Sequence, residues 1–153
     1  ISPSATEKAT KSRQQLEQRL ASIETARGNI EKRIEQIEDS RSGELIVQLH
    51  SSDAEVRMAA AQNLSKKGAK ISQTKVNELI DIMRHGDERW ETSRSRNEGR
   101  HCTDYEYTSI KHYAATALTD MKSRYVSPDV AREARQSKSK GVTRERVTDP
   151  GWV

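Results

Sequence analysis

Between residues 85 and 112 stand the side chains best suited to chemistry: His85, His101, Cys102, Asp104 and His112. Imidazole, thiolate and carboxylate are the ligand types that zinc takes, and a thiol beside an imidazole is the pairing that makes a cysteine nucleophilic. The spacing supports neither use. No pair stands at C-x-x-C or H-E-x-x-H separation, and the adjacent His101 and Cys102 cannot easily turn both side chains toward one ion. A catalytic Cys102 would also need a shielded, electropositive cleft, which the neighbouring residues do not suggest. The residues therefore predict no catalytic group, no metal site and no cofactor.

Binding chemistry is better represented in the same stretch. Residues 87–106 hold Trp90, Arg94, Arg96, Arg100 and Tyr105. Trp, Arg and Tyr combine large contact area with directional hydrogen bonding, and they are enriched where proteins anchor one another. From Asp87 to Asp104 there are four arginines and five acids, so the stretch is no basic patch. The opposing reading is a solvated loop with Trp90 tucked beneath it.

These residues need elements to position them. Residues 5–41 carry apolar side chains at Leu16, Leu20, Ile23, Ile30, Ile34 and Ile37, in steps of 4, 3, 7, 4 and 3, which is a heptad stripe. With Leu16 at d, Arg27 fills one a position, the e positions are Glu17, Glu24, Glu31 and Glu38, and g carries Arg19 and Arg33. Such a helix, about 55 Å long at 1.5 Å per residue, joins a second copy through Arg19–Glu24′ and Arg33–Glu38′ pairs, forms an antiparallel hairpin with another protein's helix, or packs on its own domain. Ser4 and Glu7 make a capping box at its start. The Ser40–Gly43 cluster is expected to end it, and residues 44–50 to form a separate short helix. Further helices are predicted over 54–66, with Ser52 and Glu55 as capping box, over 73–85, and over 128–137 behind Ser127-Pro128.

Val56 to Leu64 aligns without a gap on Ile110 to Leu118, and Leu45-Ile46 has its counterpart in Leu79-Ile80. The residues Ile46, Leu49, Asp53, Val56, Arg57, Ala60, Ala61 and Leu64 follow L-x-x-L-x-x-x-D-x-x-V-R-x-x-A-A-x-x-L, and on them residues 43–125 resemble HEAT-type repeats. The second copy departs from the pattern where Tyr107 and Lys111 replace Asp53 and Arg57, and residues 87–106 interrupt it. The resemblance implies an all-α α-solenoid of two helical hairpins plus a capping helix. It also implies structural roles for Asp53, Val56, Arg57, Leu64, Ile110 and Leu118. It is nearly silent on function, since such repeats host scaffolds, carriers and a few enzymes.

Bulk composition bounds the rest. Hydrophobic residues make up 32% and charged residues 33% of 153, there is no Phe, and one cysteine allows no internal disulfide. The mean hydropathy of −0.96 fits a thin core with a solvated helix and a tail. Residues 132–153 hold six bases and three acids of a chain whose net charge is +4, so residues 137–153 read as a basic, disordered tail, with Trp152 as anchor or contact. No apolar run approaches the roughly 18 residues of a membrane span. The absence of an initial Met fits loss of a signal peptide or anchor from an exported or membrane-tethered bacterial protein, and equally a truncation. The expected organisation is a long helix over 1–42, HEAT-like repeats over 43–136 with a loop at 87–106, and the tail over 137–153. The expected function is a non-enzymatic scaffold or adaptor that binds a protein through the repeats and the loop, with the first helix serving self-association as a homodimer or tethering. The alternative is a nucleic-acid-binding accessory protein that uses the tail and the loop arginines.

Overall fold

A computed structural model describes residues 4–152. The expectations for residues 1–3 of the first helix and residue 153 of the tail lie outside those described. The chain divides into two units, residues 1–38 and 39–153. The helix α1 (Ala5–Gln48) supplies the first unit and the opening of the second. At its start Ser4 and Glu7 exchange hydrogen bonds, with the Glu7 amide donating to the Ser4 hydroxyl at 3.2 Å and the Ser4 amide to the Glu7 carboxylate at 3.3 Å. In the first unit the six heptad side chains are 44% to 62% exposed. Arg27, in the polar a position, pairs with Glu31 one turn on, at 3.1 Å.

The helix does not end at the serine cluster. In the second unit its residues 39–48 continue through Gly43, because tertiary contacts outweigh the roughly 1 kcal/mol that Gly costs a helix. Ile46 and Leu49 enter the core, Ser42 is buried, and the Ser72 hydroxyl donates to Asp39 at 2.8 Å. The next helix, α2 (Ala54–Lys67), is capped by Asp53, whose carboxylate accepts from the Glu55 amide at 2.9 Å, rather than by Ser52. Gly68 closes it at φ +52°, in the region where a residue without Cβ is at ease. Then come α3 (Gln73–His85), α4 (Ile110–Thr119) and α5 (Pro128–Lys140), capped by Ser72, Ser109 and Ser127. The two segments of the internal repeat are α2 and α4. The Ala doublets Ala60-Ala61 and Ala114-Ala115 are fully buried there, and small residues permit close helix approach. Helix α4 is central: Ile110, Tyr113, Ala114, Ala115, Ala117 and Leu118 are all buried.

The all-α solenoid is corrected by a sheet. The strands β1 (Arg89–Asn97), β2 (Cys102–Ser109) and β3 (Val142–Thr148) form it in that order, with both pairings antiparallel. The stretch 87–106 is thus largely a hairpin, and most of the expected tail is the end of α5 and an edge strand. The physical reason lies in residue type. Trp90, Thr92, Thr103, Tyr105, Tyr107 and Thr108 are aromatic or β-branched, which suits a pleated surface better than a helix. In β3, Val142, Thr143 and Val147 have the same bias, but its charged side chains leave no apolar stripe to reveal a strand. Helix α5 sets β3 in place: Gly141 follows α5, and its carbonyl accepts from the Ser109 amide at 2.8 Å. Among the described residues no helix is long and apolar enough to cross a membrane.

Candidate functional site

One irregularity decides which side chains share a face of the hairpin. In an unbroken strand Trp90, Arg94 and Arg96, all even-numbered, would point the same way. A β-bulge at Thr92 shifts the register: Glu91 stands opposite Tyr107 and Ser93 opposite Glu106. An extra residue reverses the alternation beyond it. Trp90 accordingly faces the helices, while Arg94 and Arg96 face the other way.

On the helix side Trp90 is half-buried against the core, with its ring edge-on to Tyr113 at 6.1 Å. The guanidinium of Arg57 lies beside both rings, 3.9 Å from the Trp90 ring centre and 5.1 Å from that of Tyr113. Arg57 is 1% exposed, its Nη1 donates to the Ser51 carbonyl at 2.8 Å, and its Nε has no partner. Trp90 therefore docks the hairpin on α2 and α4. Farther along this face Arg146 grips Asp104 through both carboxylate oxygens, at 2.7 and 3.1 Å, and Arg144 pairs with Glu106 at 3.2 Å. The Arg146 guanidinium holds the Asp104 carboxyl below its ordinary value, mainly through the hydrogen bond.

The opposite face gathers a different set. Tyr105 and Tyr107, two residues apart on β2, lie nearly parallel with ring centres 6.2 Å apart. Arg94 lies over Tyr105 at 5.0 Å and Arg89 over Tyr107 at 4.2 Å. Each arginine is held by a carboxylate as well. Arg94 bonds Glu91 at 2.7 and 3.1 Å, Arg89 bonds Glu145 of β3 at 3.1 Å, and Arg96 bonds Asp149 at 2.9 and 2.7 Å. The hydrogen bond from Arg94 lowers the Glu91 pKa. Three cations meet three anions, so this surface is ordered and electrically balanced. Val147, at the edge of the same face, is exposed.

Of the residues expected to bind a partner, Arg94, Arg96 and Tyr105 come together here. Trp90 is on the core side, and Arg100 is exposed in the short 3-10 turn Glu98–Arg100 at the hairpin tip. Arg89, Tyr107, Glu91, Glu145 and Asp149 were not singled out in the sequence. Tyr107 and Arg89 follow from two-residue periodicity once a strand is assumed, whereas Glu145 and Asp149 join through long-range pairing with no local signal. Trp152 stacks on His101, ring centres 3.7 Å apart, where His101 adopts a left-handed backbone at φ +51°.

The remaining reactive groups are dispersed. Cys102 is 2% exposed, Asp104 is engaged by Arg146, and His112 is bonded through Nδ1 to the Lys138 carbonyl at 2.7 Å. Among the described residues no three His, Cys, Asp or Glu side chains gather where they could hold a metal ion. Asp53 caps α2 and Arg57, Val56, Leu64, Ile110 and Leu118 lie in the helical layer. Compared with protein-family models, curated proteins and solved structures, the chain matches none of them.

Proposed function

We propose that the chain is a non-catalytic adaptor that binds a protein partner on the Arg–Tyr face of its sheet and joins copies of itself through α1. The observation that carries this reading is the set Arg89, Arg94, Arg96, Tyr105 and Tyr107, each guanidinium fixed by a carboxylate and two of them laid over tyrosine rings. Side chains already ordered before association lose less entropy on binding. Their electrical balance suits a polypeptide surface better than a polyanion, which would have to compete with Glu91, Glu145 and Asp149.

Self-association is supported by the exposed heptad stripe and its flanks. A parallel arrangement sets Arg19 and Arg33 at g against Glu24 and Glu38 at e of the other copy, whereas an antiparallel one would oppose glutamates at e. Light scattering tests this part on the full chain: Ile23→Asp with Ile30→Asp should convert the assembly to monomer. A wild-type monomer at tens of micromolar would end the proposal. The partner face is tested by quantitative affinity capture with Arg94→Ala/Tyr105→Ala against Arg144→Ala on the reverse face. A specific partner should be lost only in the first variant. Equal retention in both would remove the assignment.

A further inference from the structure

The Arg–Tyr face is neutral, but elsewhere in the second unit bases outnumber acids. Residues 66–70 and 120–139 carry eight bases and three acids, an excess larger than the +4 of the entire chain. The fold brings these two segments together. Gly68 lies so close to the loop after α4 that a Cβ built on it would sit 3.1 Å from the Lys122 carbonyl oxygen. Lys66 and Lys70 on one side and Lys122 and Arg124 on the other are all exposed. Arg124 lies over Tyr125, with its Nη2 donating to the phenol oxygen at 2.6 Å.

Helix α5 starts from that same loop. It buries Ala134, half-buries Val130, Ala131, Glu133 and Ser137, and spends Glu133 on Arg84 at 3.0 Å. Exposed on it are Pro128, Asp129, Arg132, Arg135, Gln136, Lys138, Ser139 and Lys140, and of these Arg132, Arg135, Gln136 and Ser139 stand at i, i+3, i+4 and i+7, which is one face of a helix. Arg132 bonds Asp129, whereas Arg135, Lys70 and Lys122 have no carboxylate partner among the described residues. This face presents no aromatic or large aliphatic anchor, which argues against both a membrane surface and a protein hot spot. Guanidinium, amide and hydroxyl groups on an exposed helix are instead the groups that pair with base edges, and the major groove, about 12 Å wide, admits such a helix.

We infer that this surface binds double-stranded DNA, with α5 in the major groove and Lys66, Lys70, Lys122 and Arg124 on the flanking phosphates. The inference is independent of the sheet face, which lies on other residues. Neutralising about four phosphates gives a salt slope near −4, so affinity should fall roughly two orders of magnitude between 50 and 200 mM salt.

The test is fluorescence anisotropy of the full-length chain with a mixed-sequence duplex of about 25 base pairs, at both salt concentrations. Lys70→Ala/Lys122→Ala should weaken binding at least tenfold and lower the slope by about two. Arg135→Ala/Gln136→Ala should weaken binding and flatten any preference among duplex sequences. Arg144→Ala, on the reverse face of the sheet, should leave affinity unchanged. All substitutions are at exposed positions, and circular dichroism verifies that each variant is folded. Absence of binding at 50 mM salt overturns the inference. So does equal competition by poly-glutamate, by phosphatidylserine vesicles or by single-stranded DNA, and so does a loss of affinity as large in Arg144→Ala as in the lysine variant.

Discussion

The buried guanidinium of Arg57 offers the sharpest test of how the hairpin is held. Three effects compete at this residue. Its charge-assisted hydrogen bond to the Ser51 carbonyl at 2.8 Å contributes about 1.5–3 kcal/mol, and its place 3.9 Å over the Trp90 ring contributes about 2 kcal/mol when desolvated. Against these stands the burial of a charge at 1% exposure with Nε unpartnered, which costs several kcal/mol. The favourable and unfavourable effects nearly cancel, so the larger consequence of the side chain is the space it fills beside Trp90 and Tyr113. Arg57→Met keeps most of that volume and should change stability by less than about 1.5 kcal/mol. Arg57→Ala leaves a hole beside two rings and should cost about 3 kcal/mol, which near 3 °C per kcal/mol lowers Tm by about 9 °C. Urea unfolding followed by the fluorescence of Trp90 and Trp152 measures both. If Met proves as costly as Ala, the charge and its hydrogen bond hold the hairpin and the volume argument is refuted.

Other perturbations follow from single contacts. Glu91 and Asp104 both have depressed pKa values, so their stabilising contribution is present above the unfolded carboxylate value near 4 and lost as pH falls through the lower folded value. Near-UV circular dichroism of the sheet tyrosines should hold from pH 7 to about 5 and decline toward pH 2, and Asp104→Asn should make that decline shallower. Gly141→Ala would place a Cβ 2.6 Å from His112 Cβ and 2.9 Å from its backbone nitrogen, a collision with main chain that cannot rotate away, costing about 2 kcal/mol by urea midpoint. Asp53→Ala should cost about 1 kcal/mol through loss of the α2 cap, whereas Ser52→Ala should be nearly neutral; the reverse order would refute the cap assignment.

The helices were legible wherever periodicity and caps agreed. Ser127 starts α5 as the Ser-Pro signal predicts, and α3 spans Gln73–His85, which is the range its pattern predicts. The repeat on either side masks the strand character of the segment after His85. If Val56–Leu64 and Ile110–Leu118 are copies, whatever separates α3 from α4 looks like an insertion, although Tyr105, Tyr107, Thr103 and Thr108 carry strand chemistry. The sheet's third strand had no local signal. Val142–Thr148 is charged on both faces because its partners are the arginines and acids of β1 and β2, and those pairings exist only once the chain has returned through α5. The same holds for the candidate site. The residue types in 87–106 pointed to binding, but the bulge at Thr92, which parts Trp90 from Arg94, is invisible in a list of residues.

If α1 joins copies and α5 enters DNA, the two proposals couple in a measurable way. Linking two modules makes the second contact intramolecular, and avidity then exceeds single-site affinity by a factor set by effective concentration, up to about 10²–10⁴. A duplex of about 15 base pairs accommodates one copy, and one of about 40 accommodates two a whole number of helical turns apart. Ile23→Asp/Ile30→Asp, which alters the exposed stripe and none of the basic residues, should therefore leave binding to the short duplex unchanged. It should weaken binding to the long one at least tenfold. Lys70→Ala/Lys122→Ala should weaken both. An equal loss on both lengths in the α1 variant would mean that the stripe supports the fold or touches DNA itself, and the coupling would fail. No loss on either would mean that joined copies cannot engage one duplex together.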